Sequence, residues 1–134
     1  MSYRGVHHVG VAVVDLDDAV ARYARLFDAM LEHRDAVGDQ GVEAASMLVG
    51  EARIELLAPT GDDTPVGRFL ASRGPGMHHV AYEVDDVADE IARLARAGVQ
   101  LIDETPRRGL FGLEVAFLHP DSVYGVLTEV VCPG

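Results

Sequence analysis

The chain has 134 residues, 49% of them hydrophobic, with 22 acidic against 11 basic side chains and a net charge of −11. That length and apolar content fit one compact domain over 1–134, and so negative a surface repels the phosphate backbone on which most nucleic-acid affinity depends. Every cation is an arginine, which rules out Schiff-base chemistry on a lysine and the Walker A lysine of a P-loop; the single cysteine, Cys132, rules out an internal disulfide. With no leader pattern at the start and no membrane-length apolar run, the expectation is a soluble cytoplasmic protein.

In chain order, Val9 to Val14 is an apolar, β-branched run of strand length that leads into acidic residues and then a helical pattern. Asp15 is the expected N-cap, and Ala19, Val20, Tyr23, Leu26 and Phe27 form the apolar stripe of the helix. Three strand-like runs follow, about Met30 to Arg34, Val42 to Val49 and Arg53 to Leu57. Thr60 to Gly76, rich in Gly, Asp and Pro, reads as a linker with a short helix from Pro65 to Ser72. The order then repeats. A strand from Val80 to Val84 precedes a helix capped by Asp86, with Val87, Ile91, Leu94 and Ala95 on its apolar face and Gly98 as its stop. Strands are expected at Val99 to Ile102, Leu113 to Leu118 and Val126 to Val131.

The likeness of the halves extends to individual residues. HHVGVAVVDL, starting at His7, returns as HHVAYEVDDV, starting at His78; Asp15, Asp18, Ala21, Arg22, Ala24 and Arg25 also recur without a gap. Glu55-Leu56-Leu57-Ala58-Pro59 is echoed by Glu129-Val130-Val131-Cys132-Pro133. The chain is therefore a tandem duplication of a βαβββ module, the first about 5–59 and the second about 77–133.

Strand alternation separates the paired histidines. His7 shares a face with Val9, Val11 and Val13, and His78 with Val80, Tyr82 and Val84, whereas His8 and His79 point the other way. Glu55 lies opposite the apolar Ile54, Leu56 and Ala58, and Glu129 follows by the repeat. A pseudo-twofold would bring His8, Glu55, His79 and Glu129 together, two imidazoles and two carboxylates, as a site for Co²⁺, Mn²⁺, Zn²⁺, Fe²⁺ or Ni²⁺. Two buried carboxylates are costly without such a cation. His7 and His78 read as core or supporting histidines, and His33 and His119, which have no repeat partner, carry no metal role.

The segments HHVGVAVVDLDDAV, GVEAASMLVGEARIELLAPTGDDTPVGRFL, GPGMHHVAYEVDD and VAFLHPDSVYGVLTEV resemble the vicinal oxygen chelate superfamily, and within it the methylmalonyl-CoA epimerases. The resemblance implies an α+β fold whose paired modules form a cup-shaped mixed sheet around one divalent metal, Co²⁺ first, with Mn²⁺, Zn²⁺, Ni²⁺ or Mg²⁺ as alternatives. It implies His8, Glu55, His79 and Glu129 as ligands, an acyl-CoA substrate and a homodimer. On this model the metal takes a thioester oxygen and a free carboxylate of the substrate, and Glu129 also moves the α-proton.

Inversion at that carbon needs a second proton carrier. In family members that have a second glutamate it lies three residues after the Gly of a Gln-Gly-Val stretch; here Ala44 holds that place and Glu43 precedes it, so Glu43 acts only if a bulge re-aims it. Arg107 and Arg108 are the nearest cations for coenzyme A phosphates. The rival expectations are a glyoxalase I-like isomerase and a drug-binding relative without catalysis.

Overall fold

The computed structural model describes residues 3–133. They form two compact units: one is His8–His78, and the other runs from His79 onward and includes the chain start up to His7. Each unit is built from one βαβββ module.

In the first module, β1 (Tyr3–Ala12) leads to α1 (Leu16–Phe27), then to β2 (Met30–Val37), β3 (Val42–Val49) and β4 (Ala52–Pro59), in the strand order β2-β3-β4-β1. β1 pairs parallel with β4, and β2, β3 and β4 are antiparallel neighbours. Asp15 caps α1, its carboxylate accepting from the Asp18 amide at 3.0 Å. Helix α1 packs through Leu16 and Ala19 onto Ala45, Met47, Leu56 and Ala58, one alternating face of the sheet. Leu26 and Phe27, expected on the buried stripe, are largely exposed, because the last turn of α1 runs past this cluster. After β4, Thr64 caps α2 (Pro65–Arg73), with Pro65 in the first turn, where a missing N–H costs nothing.

The second module repeats this wiring. β5 (Gly76–Val84) and α3 (Val87–Arg96) precede β6 (Arg107–Arg108), β7 (Leu113–Leu118) and β8 (Thr128–Pro133), in the order β5-β8-β7-β6, with β5 and β8 parallel. Asp86 caps α3 through the Asp89 amide at 2.9 Å, and Gly98, at φ +89°, ends it. Val87 and Ile91 of the helix meet Val84, Ala116 and Val130 of the sheet.

Two expectations need correcting. Val99 to Ile102 is not a strand: it makes a single bridge, Leu101 to Leu118, and the edge strand comes later, as Arg107–Arg108. Residues 100–103 are instead held individually, Ile102 and Asp103 donating to the Phe117 carbonyl and His119 donating to the Gln100 carbonyl. The last strand begins at Thr128 rather than Val126, because Tyr124 and Gly125 take left-handed turn conformations just before it.

β1 also starts earlier than its apolar pattern, and its first residues pack in the second unit. Tyr3 meets Tyr82 edge-on at 6.2 Å, and Arg4 pairs with Asp85 at 2.6 Å. The Tyr3 phenol is pushed up to about 12, by burial first and then by its hydrogen bond to Glu90. Glu90 is itself buried and held by Arg93 through two bonds of 2.9 and 2.6 Å.

Candidate metal and acyl-binding site

The four residues singled out by strand alternation are buried polar groups on the sheet faces turned away from α1 and α3. In the first unit His8 and Glu55 are 3% and 5% exposed, and the imidazole Nε2 lies 3.4 Å from a Glu55 carboxylate oxygen. In the second, His79 and Glu129 are 4% and 7% exposed and stand 3.9 Å apart by the same atoms. The repeat therefore places a buried imidazole beside a buried carboxylate twice, once per unit. The local cause is the parallel pairing in each module: Gly10 stands beside Glu55, and Ala81 beside Glu129. Buried nitrogen and carboxylate donors are the chemistry of a divalent transition-metal site, and a cation offsets the cost of burying charge.

His78, read as a supporting residue, packs edge-on against Phe69 of α2 at 4.9 Å, and burial holds its pKa below the ordinary histidine value. His119 accepts from the Asp121 amide at 3.1 Å and caps the short 3₁₀ turn Pro120–Val123.

Glu43 does not join these groups. β3 pairs with β4 in unbroken register from Val42 to Val49, without the bulge that would turn Glu43 round. It shares the α1 face with Ala45 and Met47, where Arg34 grips it at 2.7 Å while also reaching Asp17 at 2.6 Å. Ala44 and Ser46 lie on the Glu55 side instead.

A bulge does occur, but in the neighbouring strand β2, between Leu31 and His33. Glu32, following Leu31 on the α1 face, lies on the Glu55 face, and the bulge re-phases the strand from His33 onward. There Glu32 accepts from the Ser46 hydroxyl at 2.9 Å and from Arg53 at 2.9 and 3.1 Å. Arg53 holds the Glu32 carboxyl below the usual carboxylate range against the opposing effect of burial, and Ser46 assists. Sequence reasoning missed this trio. Alternation from Glu55 would have found Arg53; Ser46 and Glu32 join it through the register of β3 with β4 and of β2 with β3.

The two arginines separate. Arg107 stands beside Val115 in register, on the face that carries Ala81, Val131 and Glu129, whereas Arg108 stands beside Glu114 on the reverse face. The Arg107 guanidinium lies 5.6 Å over the Phe117 ring, and that ring meets His79 edge-on at 5.8 Å.

Residues 7–117 match the family model of the glyoxalase/bleomycin resistance protein/dioxygenase superfamily, a match spanning both modules. The chain is 35% identical over 127 residues to the ethylmalonyl-CoA/methylmalonyl-CoA epimerase of Cereibacter sphaeroides, covering 93% of this chain and 95% of that one. The crystal structure of methylmalonyl-CoA epimerase from Mycobacterium tuberculosis matches with a TM-score of 0.94 at 38% identity, over 98% of this chain and 89% of that one. A methylmalonyl-CoA epimerase in complex with methylmalonyl-CoA and NH₄⁺ matches at 0.95 and 34% identity, over 99% and 96% of the two chains. The chain belongs to this superfamily and, within it, to the methylmalonyl-CoA epimerase family.

Proposed function

We propose that the chain is a metal-dependent epimerase that interconverts the (2R) and (2S) forms of methylmalonyl-CoA, with His8, Glu55, His79 and Glu129 holding one divalent ion. The observation that carries this reading is the buried His–Glu pair repeated in each unit of a chain from this family. His8, His79 and Glu129 alone supply two nitrogens and a carboxylate, a sufficient donor set. The bound ion supplies a Lewis acid that lowers the cost of negative charge developing on the thioester oxygen.

Glu129 has the chemistry to take the α-proton, being a carboxylate buried beside an imidazole on the face that also carries Arg107 and Phe117. Inversion needs proton return from the other side of the carbon. Glu43, tied to Arg34 on the α1 face, is poorly placed for that step. Ser46 and the ion-paired Glu32 line the corresponding side of the first unit.

Within the same reading Co²⁺ is the preferred ion, the protein acts in the cytoplasm, and the working assembly is a homodimer. Exposed Leu26, Phe27, Met30 and Leu31, at the end of α1 and the start of the edge strand β2, suit burial against a second copy.

The test is proton NMR of (2R)- or (2S)-methylmalonyl-CoA in D₂O with metal-loaded protein. The α-proton signal should disappear with the native chain and persist with Glu129→Gln. If none of Co²⁺, Mn²⁺, Zn²⁺ or Ni²⁺ supports exchange, the epimerase reading is rejected, and turnover of methylglyoxal with a thiol would replace it with the glyoxalase I-like one.

A further inference from the structure

The second unit holds one guanidinium in a fixed pose on the face that carries His79 and Glu129. Arg107 is tied at its Nε to Asp103 Oδ2, 3.4 Å away, and the same Asp103 oxygen accepts the Phe117 amide at 2.8 Å. Asp103 is thereby pinned to the β7 backbone, and Arg107 to Asp103. The guanidinium carbon lies over the Phe117 ring, 5.6 Å from its centroid, a cation–π contact that favours this position. Phe117 pairs in register with Glu129 and meets His79 edge-on. Among the described residues, neither terminal nitrogen of Arg107 has a protein partner. The Nε edge is used for anchoring, and the Nη edge is left as an open two-pronged donor.

An arginine held in this way recognises a planar oxyanion through two parallel hydrogen bonds. Its position indicates which one. Two ring-sized steps, 5.6 and 5.8 Å, connect the guanidinium to His79 through Phe117. From standard bond lengths, the extended pantetheine arm carries the diphosphate about 16 Å from the thioester sulfur. With the acyl group at His79 and Glu129, the Arg107 fork therefore meets the acyl end of the substrate and not its phosphates. We propose that Arg107 is the specificity residue for the free carboxylate of the acyl group, donating to the carboxylate oxygen that the ion leaves open, and that Asp103 is the positioning residue that aims it. The inference rests on the acyl-thioester reading above, and it separates a malonyl-type thioester from a simple acyl thioester by charge.

The experiment measures binding, which keeps it independent of turnover. Calorimetry on the metal-loaded protein compares methylmalonyl-CoA, methylmalonyl-pantetheine, which lacks the phosphates, and propionyl-pantetheine, which lacks the carboxylate as well. The native chain should bind methylmalonyl-pantetheine more tightly than propionyl-pantetheine. Arg107→Gln should weaken methylmalonyl-pantetheine and methylmalonyl-CoA alike, by about 10- to 100-fold, and leave propionyl-pantetheine within about 2-fold. Arg107→Lys, which keeps the charge but not the fork, should recover part of the loss. Asp103→Asn, still able to accept the Phe117 amide, should lower only the carboxylate-dependent part, by several-fold. The proposal is overturned if Arg107→Gln weakens methylmalonyl-CoA but not methylmalonyl-pantetheine, since the fork then reads phosphate. It is overturned equally if the native chain does not distinguish the two pantetheine thioesters. Failure of the epimerase reading has its own signature, carboxylate-dependent binding without α-proton exchange.

Discussion

At the scale of single residues, what matters is which face of a strand a side chain occupies. Glu43 and Glu55 are both glutamates on adjacent antiparallel strands, yet the register puts one against the Arg34 side chain on the α1 face and the other beside His8. Glu43→Gln should therefore change the α-proton exchange rate by less than about 3-fold, the loss of a surface ion pair being small; a hundredfold drop measured by NMR would return Glu43 to the reaction. Glu32 is the opposite case, a carboxylate on the Glu55 face, where Ser46 and Arg53 hold it. Its pKa is held down in the folded state, by Arg53 first. Such a group adds stability above its unfolded pKa and loses it as pH falls through the folded value. Glu32→Gln should destabilise the protein by about 1 kcal/mol at pH 7. In denaturant titrations that difference should shrink toward zero on acidification below the ordinary glutamate range.

At the scale of elements, the helices are specified locally and the edge strands are not. Asp15, Thr64 and Asp86 sit where their side chains accept the first free amides of their helices, so the starts of all three helices can be read from short stretches of sequence. The edge strand of the second module cannot. Val99 to Ile102 has the composition of a strand, but the two-residue pairing falls to Arg107 and Arg108, because backbone partners on β7 select it. Turns show the same dependence on contacts beyond the local sequence. Gly41 adopts φ +65°, and a Cβ built there would come 2.3 Å from the Thr64 methyl, the cap of α2. Gly41→Ala should cost about 2 kcal/mol, from left-handed strain and this clash together. A melting temperature unchanged from the native protein would show that the β3 entry and the α2 cap are not coupled.

At the scale of the whole molecule, the net charge of −11 coexists with two buried His–Glu pairs, one in each unit. A bound divalent ion should stabilise the protein by linkage. At an ion concentration 100-fold above Kd the gain is about 2.7 kcal/mol, which for a chain of this size is a rise in Tm on the order of 10 °C. Scanning calorimetry with Co²⁺, Mn²⁺, Zn²⁺ and Ni²⁺, each reversed by EDTA, measures it. An absence of any shift would remove the metal from the proposed function.

The sequence by itself determined the duplication, the module order, the caps Asp15 and Asp86, and the faces on which His8, Glu55, His79 and Glu129 lie. All of these follow from short-range periodicity and from repetition, and both are written in the order of residues. Tertiary structure alone decided that Glu43 is tied to Arg34 on the α1 face and that Glu32 meets Ser46 and Arg53 on the Glu55 face. It also separated Arg107 from Arg108, set Phe117 against His79 with Asp103 accepting its amide, and packed the first residues of β1 with Tyr82 and Asp85. Each of those outcomes depends on the register of a strand against a neighbour distant in sequence. A one-residue difference in that register reverses the face a side chain presents, and no local pattern in the sequence records it.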